Sequence, residues 1–104
     1  MENLQDKTIC LGKLERCYNC LQYIKTRIDS YQYEPSTSAL FETKEYLKEK
    51  IEKLVVANDS LLSYLKITNE LLPDQYQVVN YHILETFELE EDVMEYTSKS
   101  KKFN

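Results

Sequence analysis

Four side chains have the type for metal or redox chemistry: Cys10, Cys17, Cys20 and the single histidine, His82. Cys17 and Cys20 form a C-x-x-C pair, the half-motif of a structural zinc site or a dithiol. Zinc needs two further ligands at suitable spacing, and such pairs usually sit on a turn or knuckle. Thioredoxin-like chemistry needs the pair after a strand, at a helix N-terminus where the dipole lowers a thiol pKa. Neither context is present. In "CLGKLERCYNCLQYIKTRIDSY", residues 10–31, the apolar positions Cys10, Leu14, Cys17, Leu21, Ile24, Ile28 and Tyr31 recur in steps of four and three. That repeat is a helix face, so the thiols are expected to pack as small hydrophobes. His82 has no acid three or four residues before it and no identifiable nucleophile to serve. Ordinary partial exposure is expected of it, and no enzyme, cofactor, metal or small-molecule substrate is expected.

The elements that must position these residues are helices. One Gly and two Pro in 104 residues, with no Asn-Gly or Asp-Gly, leave sheet hairpins without their turn chemistry. The length implies one domain, expected over residues 1–98, with 99–104 a disordered basic tail. The first helix is expected from about Asp6 or Thr8 to Tyr33, with Gly12 weakening its start. Pro35 then disfavours helix at Glu34, and Ser36, Thr37 and Ser38 are competent N-caps. The second helix is expected over Ala39–Leu71. Its seam is Leu40, Lys44, Leu47, Ile51, Leu54, Asn58, Leu61, Leu65, Thr68 and Leu72. Pro73 either kinks this helix or opens a third after a reversal, and reversal is favoured, with Asp74 and Gln77 at capping-box spacing. The third helix is expected over Asp74–Tyr96 with the stripe Tyr76, Val79, Ile83 and Phe87. The fold class is therefore all-α: a three-helix antiparallel bundle or coiled-coil hairpin with two long heptad-patterned helices.

Charge narrows the partners. Of 13 basic and 18 acidic residues, three and seven fall in residues 73–104, so the excess acid lies in the last third. No basic stripe exists for nucleic acid. No apolar run is long enough to span a bilayer, and the first ten residues lack a secretory pattern. An intracellular chain, cytoplasmic or nuclear, with reduced thiols is expected.

Asn58 on the seam has two readings. It either specifies register and partner, as a buried Asn does in a parallel coiled coil, or it is bonded or solvated within one bundle. On the first reading Asn58→Ile is expected to raise stability while loosening partner choice. Nine tyrosines against no Trp and three Phe suit half-buried boundaries and interfaces. The candidate interface residues are Asn58, Leu61, Leu65, Tyr23, Tyr46, Tyr64, Val93 and Tyr96. The expected function is a non-catalytic protein–protein interaction module: a coiled-coil subunit that homodimerises or joins other helical chains. The alternative is a monomeric chaperone or adaptor holding a client through its acidic helix. In size and pattern the chain resembles small helical subunits of kinetochore, spindle or vesicle-tethering complexes, and more loosely the tubulin cofactor A chaperones; the resemblance implies no particular residues.

Overall fold

The computed structural model describes residues 7–68 and 70–100. It consists of helices α1 (Lys7–Ile28), α2 (Ser38–Ile67) and α3 (Pro73–Ser100), with a 3₁₀ turn at Tyr31–Tyr33 between the first two. No strand occurs among the described residues. The molecule is elongated, 51 × 21 × 17 Å.

Cys10, Leu14, Cys17, Leu21, Ile24 and Ile28 are all buried, so the repeat along α1 faces the core. The helix stops at Ile28, before the expected Tyr33. Ser30 takes an extended conformation, its N–H bonds Arg27 O at 3.0 Å, and Tyr31, expected on the seam, is 76% exposed. The 3₁₀ turn is instead held by side chains of both α3 and α1. Tyr96 donates its hydroxyl to Tyr33 O at 2.9 Å, and the Arg27 guanidinium lies 4.8 Å from the Tyr33 ring centroid.

Among the three candidate caps of α2, Thr37 is the one used: its hydroxyl accepts from Leu40 N at 3.1 Å. The helix ends at Ile67, four residues before the expected Leu71. Thr68 leaves the helical region while its N–H still bonds Tyr64 O, and Lys7 Nζ donates to Thr68 O at 2.8 Å, satisfying a terminal carbonyl. Because the helix stops there, the seam position passes from Leu72, 54% exposed, to Leu71, which is buried.

Pro73 occupies the first position of α3, where its missing N–H costs nothing. Leu72 is the N-cap, since its carbonyl accepts from Tyr76 N at 2.9 Å. Gln75 reaches back to accept from Leu72 N at 3.0 Å. The half capping box therefore falls on Leu72 and Gln75 rather than on Asp74 and Gln77. α3 runs past the expected Tyr96 to Ser100 because Tyr96, Thr97 and Ser100 all face inward and Arg27 Nε donates to Thr97 Oγ1 at 3.1 Å. The basic tail expected over 99–104 thus begins inside a helix, and residues 101–104 lie outside the described residues.

The contacts join the start of α1 to the end of α2 through Lys7 and Thr68. The end of α1 meets the first half of α2 through Lys25–Glu52 at 3.2 Å and Lys48–Asp29 at 3.2 Å. Lys44, a polar residue on the expected seam, lies 3.9 Å from the same Asp29. Asn58 on α2 meets His82 on α3, a pairing across 24 residues that one kinked rod could not make. The chain folds back at Pro73.

The core is two apolar clusters. One holds Leu21, Ile24, Ile28, Leu47, Ile51, Leu54, Leu89, Val93 and Tyr96. The other holds Cys10, Leu14, Leu65, Leu71 and Val79. Between them lies a polar layer of Asn58, His82 and Thr86, each at most 4% exposed.

Candidate interaction surface

The polar layer ties the three helices together. Asn58 Nδ2 donates to Leu14 O at 3.1 Å, a carbonyl of α1. This orientation turns Asn58 Oδ1 toward His82 Nε2, 2.7 Å away. The amide oxygen can only accept, so His82 carries its proton on Nε2 when neutral. Thr86 donates to His82 O at 3.0 Å, one turn back along α3. His82 is therefore a buried, satisfied core residue, and the partial exposure expected of it is wrong. Asn58 is bonded within one bundle, with one amide hydrogen bond to α1 and one to α3. Burial holds the His82 imidazole below its usual range, while Glu85 pulls weakly the other way.

The thiols line the same interior. Cys10 and Cys17 are buried and Cys20 is half-buried. Burial pushes Cys17 up, opposed by the Thr86 hydroxyl and by Arg16. Cys20 is pushed up to about 11 by burial and then by the neighbouring Glu90 carboxylate. Thiolate, the nucleophile and metal ligand, is thus disfavoured at both members of the C-x-x-C pair. No group of three His, Cys, Asp or Glu side chains able to hold a metal ion occurs among the described residues.

The eight candidate interface residues divide by burial. Asn58, Leu65 and Val93 are fully enclosed and Tyr96 is 2% exposed, so none of them has surface to offer another chain. Their apolar atoms pack inside, and Tyr96 also braces the 3₁₀ turn. Leu61 is half-buried against the Leu65 cluster. Tyr23, Tyr46 and Tyr64 are exposed, but each stands in a different place. Tyr23 accepts from Arg27 near the end of α1, Tyr46 stacks under Lys50 on α2, and Tyr64 accepts from Gln75 beside the α2–α3 turn. They form no common surface.

Exposed apolar residues are grouped instead along α3, with Val78 on its α2 flank and Leu84 and Phe87 on its α1 flank. Its buried positions are Val79, His82, Thr86, Leu89, Val93 and Tyr96, in helical steps of three and four. The expected stripe of Tyr76, Val79, Ile83 and Phe87 is core only at Val79. Tyr76 and Ile83 are half-buried on the edge of the second cluster, and Phe87 is 47% exposed. Polar residues took the core positions because they are bonded there, which turned apolar residues outward. Val78, Tyr81, Leu84 and Phe87 are 54%, 65%, 61% and 47% exposed. Over residues 76–87 the helix thus exposes apolar side chains outside its core face, interspersed with Gln77 and Asn80, and more of its apolar surface is left uncovered than an amphipathic surface helix usually leaves. One flank forms a groove with α1, lined by Lys13, Arg16, Asn80, Ile83, Leu84 and Phe87. Beyond it α3 becomes acidic, with Glu88, Glu91, Asp92 and Glu95 exposed.

No helix among the described residues is long and apolar enough to cross a membrane. Comparison with protein-family models, curated proteins and solved structures finds no match.

Proposed function

We propose that this chain is a non-catalytic interaction module: a small helical subunit that completes its own core and presents the uncovered half of α3 to another protein chain. In this reading α1, α2 and α3 form an antiparallel, heptad-based bundle, and the Asn58–His82 layer fixes its register as polar core residues do in coiled coils. The single observation that carries the reading is the apolar surface of Val78, Tyr81, Leu84 and Phe87 on a helix whose core side is already filled. Exposed apolar side chains grouped on one element mark a binding site or an aggregation hazard.

The test is affinity purification from the native cell, with the recovered chains quantified for the wild type and for Leu84→Glu/Phe87→Glu. Chains recovered near one-to-one with the wild type and lost with the variant support the module. An identical set of chains from both contradicts it. The adaptor reading, a basic client held by the acidic half of α3, is favoured by the exposure of Glu88, Glu91 and Asp92. It predicts that the double variant keeps its client while moderate salt removes it.

A further inference from the structure

We propose that the groove between α1 and α3 takes an amphipathic helix from a partner, seated on Ile83, Leu84 and Phe87 with acidic residues along the edge that faces Lys13 and Arg16. This rests on the interaction-module reading and adds the partner's chemistry to it.

Charge selects the occupant. The chain carries a net charge of −5, and most of its other cations are engaged. Lys25, Lys44, Lys48 and Lys99 stand by carboxylates. Lys7 donates to Thr68 O, Arg27 bonds Thr97, and Lys50 lies over Tyr46. Lys13 and Arg16 make no ion pair among the described residues, and both line the apolar groove. They stand one turn apart on α1, so carboxylates one turn apart on a neighbouring helix can meet both. The floor beside them offers Ile83, Leu84 and Phe87 in one flank of α3, with Asn80 as a polar group at one end. That is the complement of a helix with apolar residues at i, i+3, i+4 and i+7 and acids on one flank. A second copy of this chain is a poorer fit: its own outward apolar helix half, residues 76–87, holds only Glu85 as an acid, and Glu85 is half-buried on the far side near His82.

The probe is a monomeric helical peptide of three heptads with a leucine face and glutamates on one flank, titrated against the purified chain and followed by fluorescence anisotropy. A second peptide carries lysines in place of the glutamates. The wild type is expected to bind the Glu-flanked peptide roughly tenfold more tightly at low salt, from two rim pairs. The preference should shrink at high salt. Lys13→Glu/Arg16→Glu lies on the rim and leaves the core intact, and it is expected to reverse the preference toward the Lys-flanked peptide. Leu84→Glu/Phe87→Glu is expected to abolish binding of both. Equal binding of the two peptides by the wild type, no binding of either, or an unchanged preference in the charge-reversed chain would overturn the proposal. Should native partners depend on Leu84 and Phe87 while charge reversal leaves them untouched, the module stands and this assignment of the partner fails.

Discussion

His82 Nε2 and Asn58 Oδ1 lie 2.7 Å apart in the middle of the bundle, and the same Asn58 side chain holds Leu14 O on α1. This pair divides the core into two apolar clusters and sets the axial position of all three helices at once. A one-turn slip of any helix would strand a buried donor or acceptor, at roughly 1–3 kcal/mol for each group.

Replacing Asn58 by Ile or Leu leaves the His82 N–H buried without an acceptor. Stability should fall by roughly 2 kcal/mol, the reverse of the gain that a coiled-coil partner-specifying Asn would give. Urea unfolding of Asn58→Leu, His82→Leu and the double variant closes a double-mutant cycle. The double variant should be more stable than the sum of the single losses implies.

Acid should act through the same pair. Burial lowers the folded-state pKa of His82 below its ordinary 6.5, with Glu85 opposing weakly. Asn58, which bonds its ring, and Thr86, which donates to its backbone carbonyl, do not titrate. As pH falls the unfolded chain takes up this proton first, so the folded state loses stability. The His82 contribution is complete above about pH 6.5 and drains away below it, down to the lowered folded value. Urea midpoints at pH 7, 6 and 5.5 should decline in the wild type. They should stay nearly flat when both Asn58 and His82 are Leu.

Gly12 sits exposed within α1, and a β-carbon built there meets nothing within 4 Å. Gly12→Ala should therefore stabilise the fold by about 1 kcal/mol through helix propensity alone. A rise in thermal midpoint with an unchanged circular dichroism spectrum is the expected readout.

Two leucines separate core from surface. Leu21 is fully enclosed and Leu84 is 61% exposed. Leu21→Ala should cost roughly 2–5 kcal/mol, whereas Leu84→Glu should change urea stability of the isolated chain by less than about 0.5 kcal/mol. A large loss at Leu84 would mean that this face is already covered within the chain.

The face of α1 was legible because every buried position there is apolar, so periodicity and burial coincide. The ends were less legible. Tyr31 continued the repeat in sequence, yet Ser30 ended the helix before it. Leu72 matched the seam of α2, yet Thr68 and Lys7 closed that helix a turn earlier. On α3 periodicity found Val79 and the half-buried flank of Tyr76 and Ile83 but missed the centre of the core face, since His82 and Thr86 fill it by hydrogen bonding and hydropathy gives them no credit. Phe87 was read as core for the same reason. Exposure of Tyr23, Tyr46 and Tyr64 followed from their off-seam positions, but the groove could not be read from sequence. It joins two cations of α1 to apolar residues of α3 more than sixty positions away, and only the fold brings them together.

The most direct measurement of whether the α3 face is a docking surface is thiol accessibility at that face in the native cell. In a Cys20→Ser background, Leu84→Cys would be labelled with a maleimide in the purified chain and in intact cells. Ser60→Cys, exposed on α2, serves as the reference site. A docking surface predicts that Cys at position 84 reacts as fast as the reference in the purified chain and is strongly protected relative to it in cells. Equal reactivity of the two sites in both settings would contradict a partner on α3.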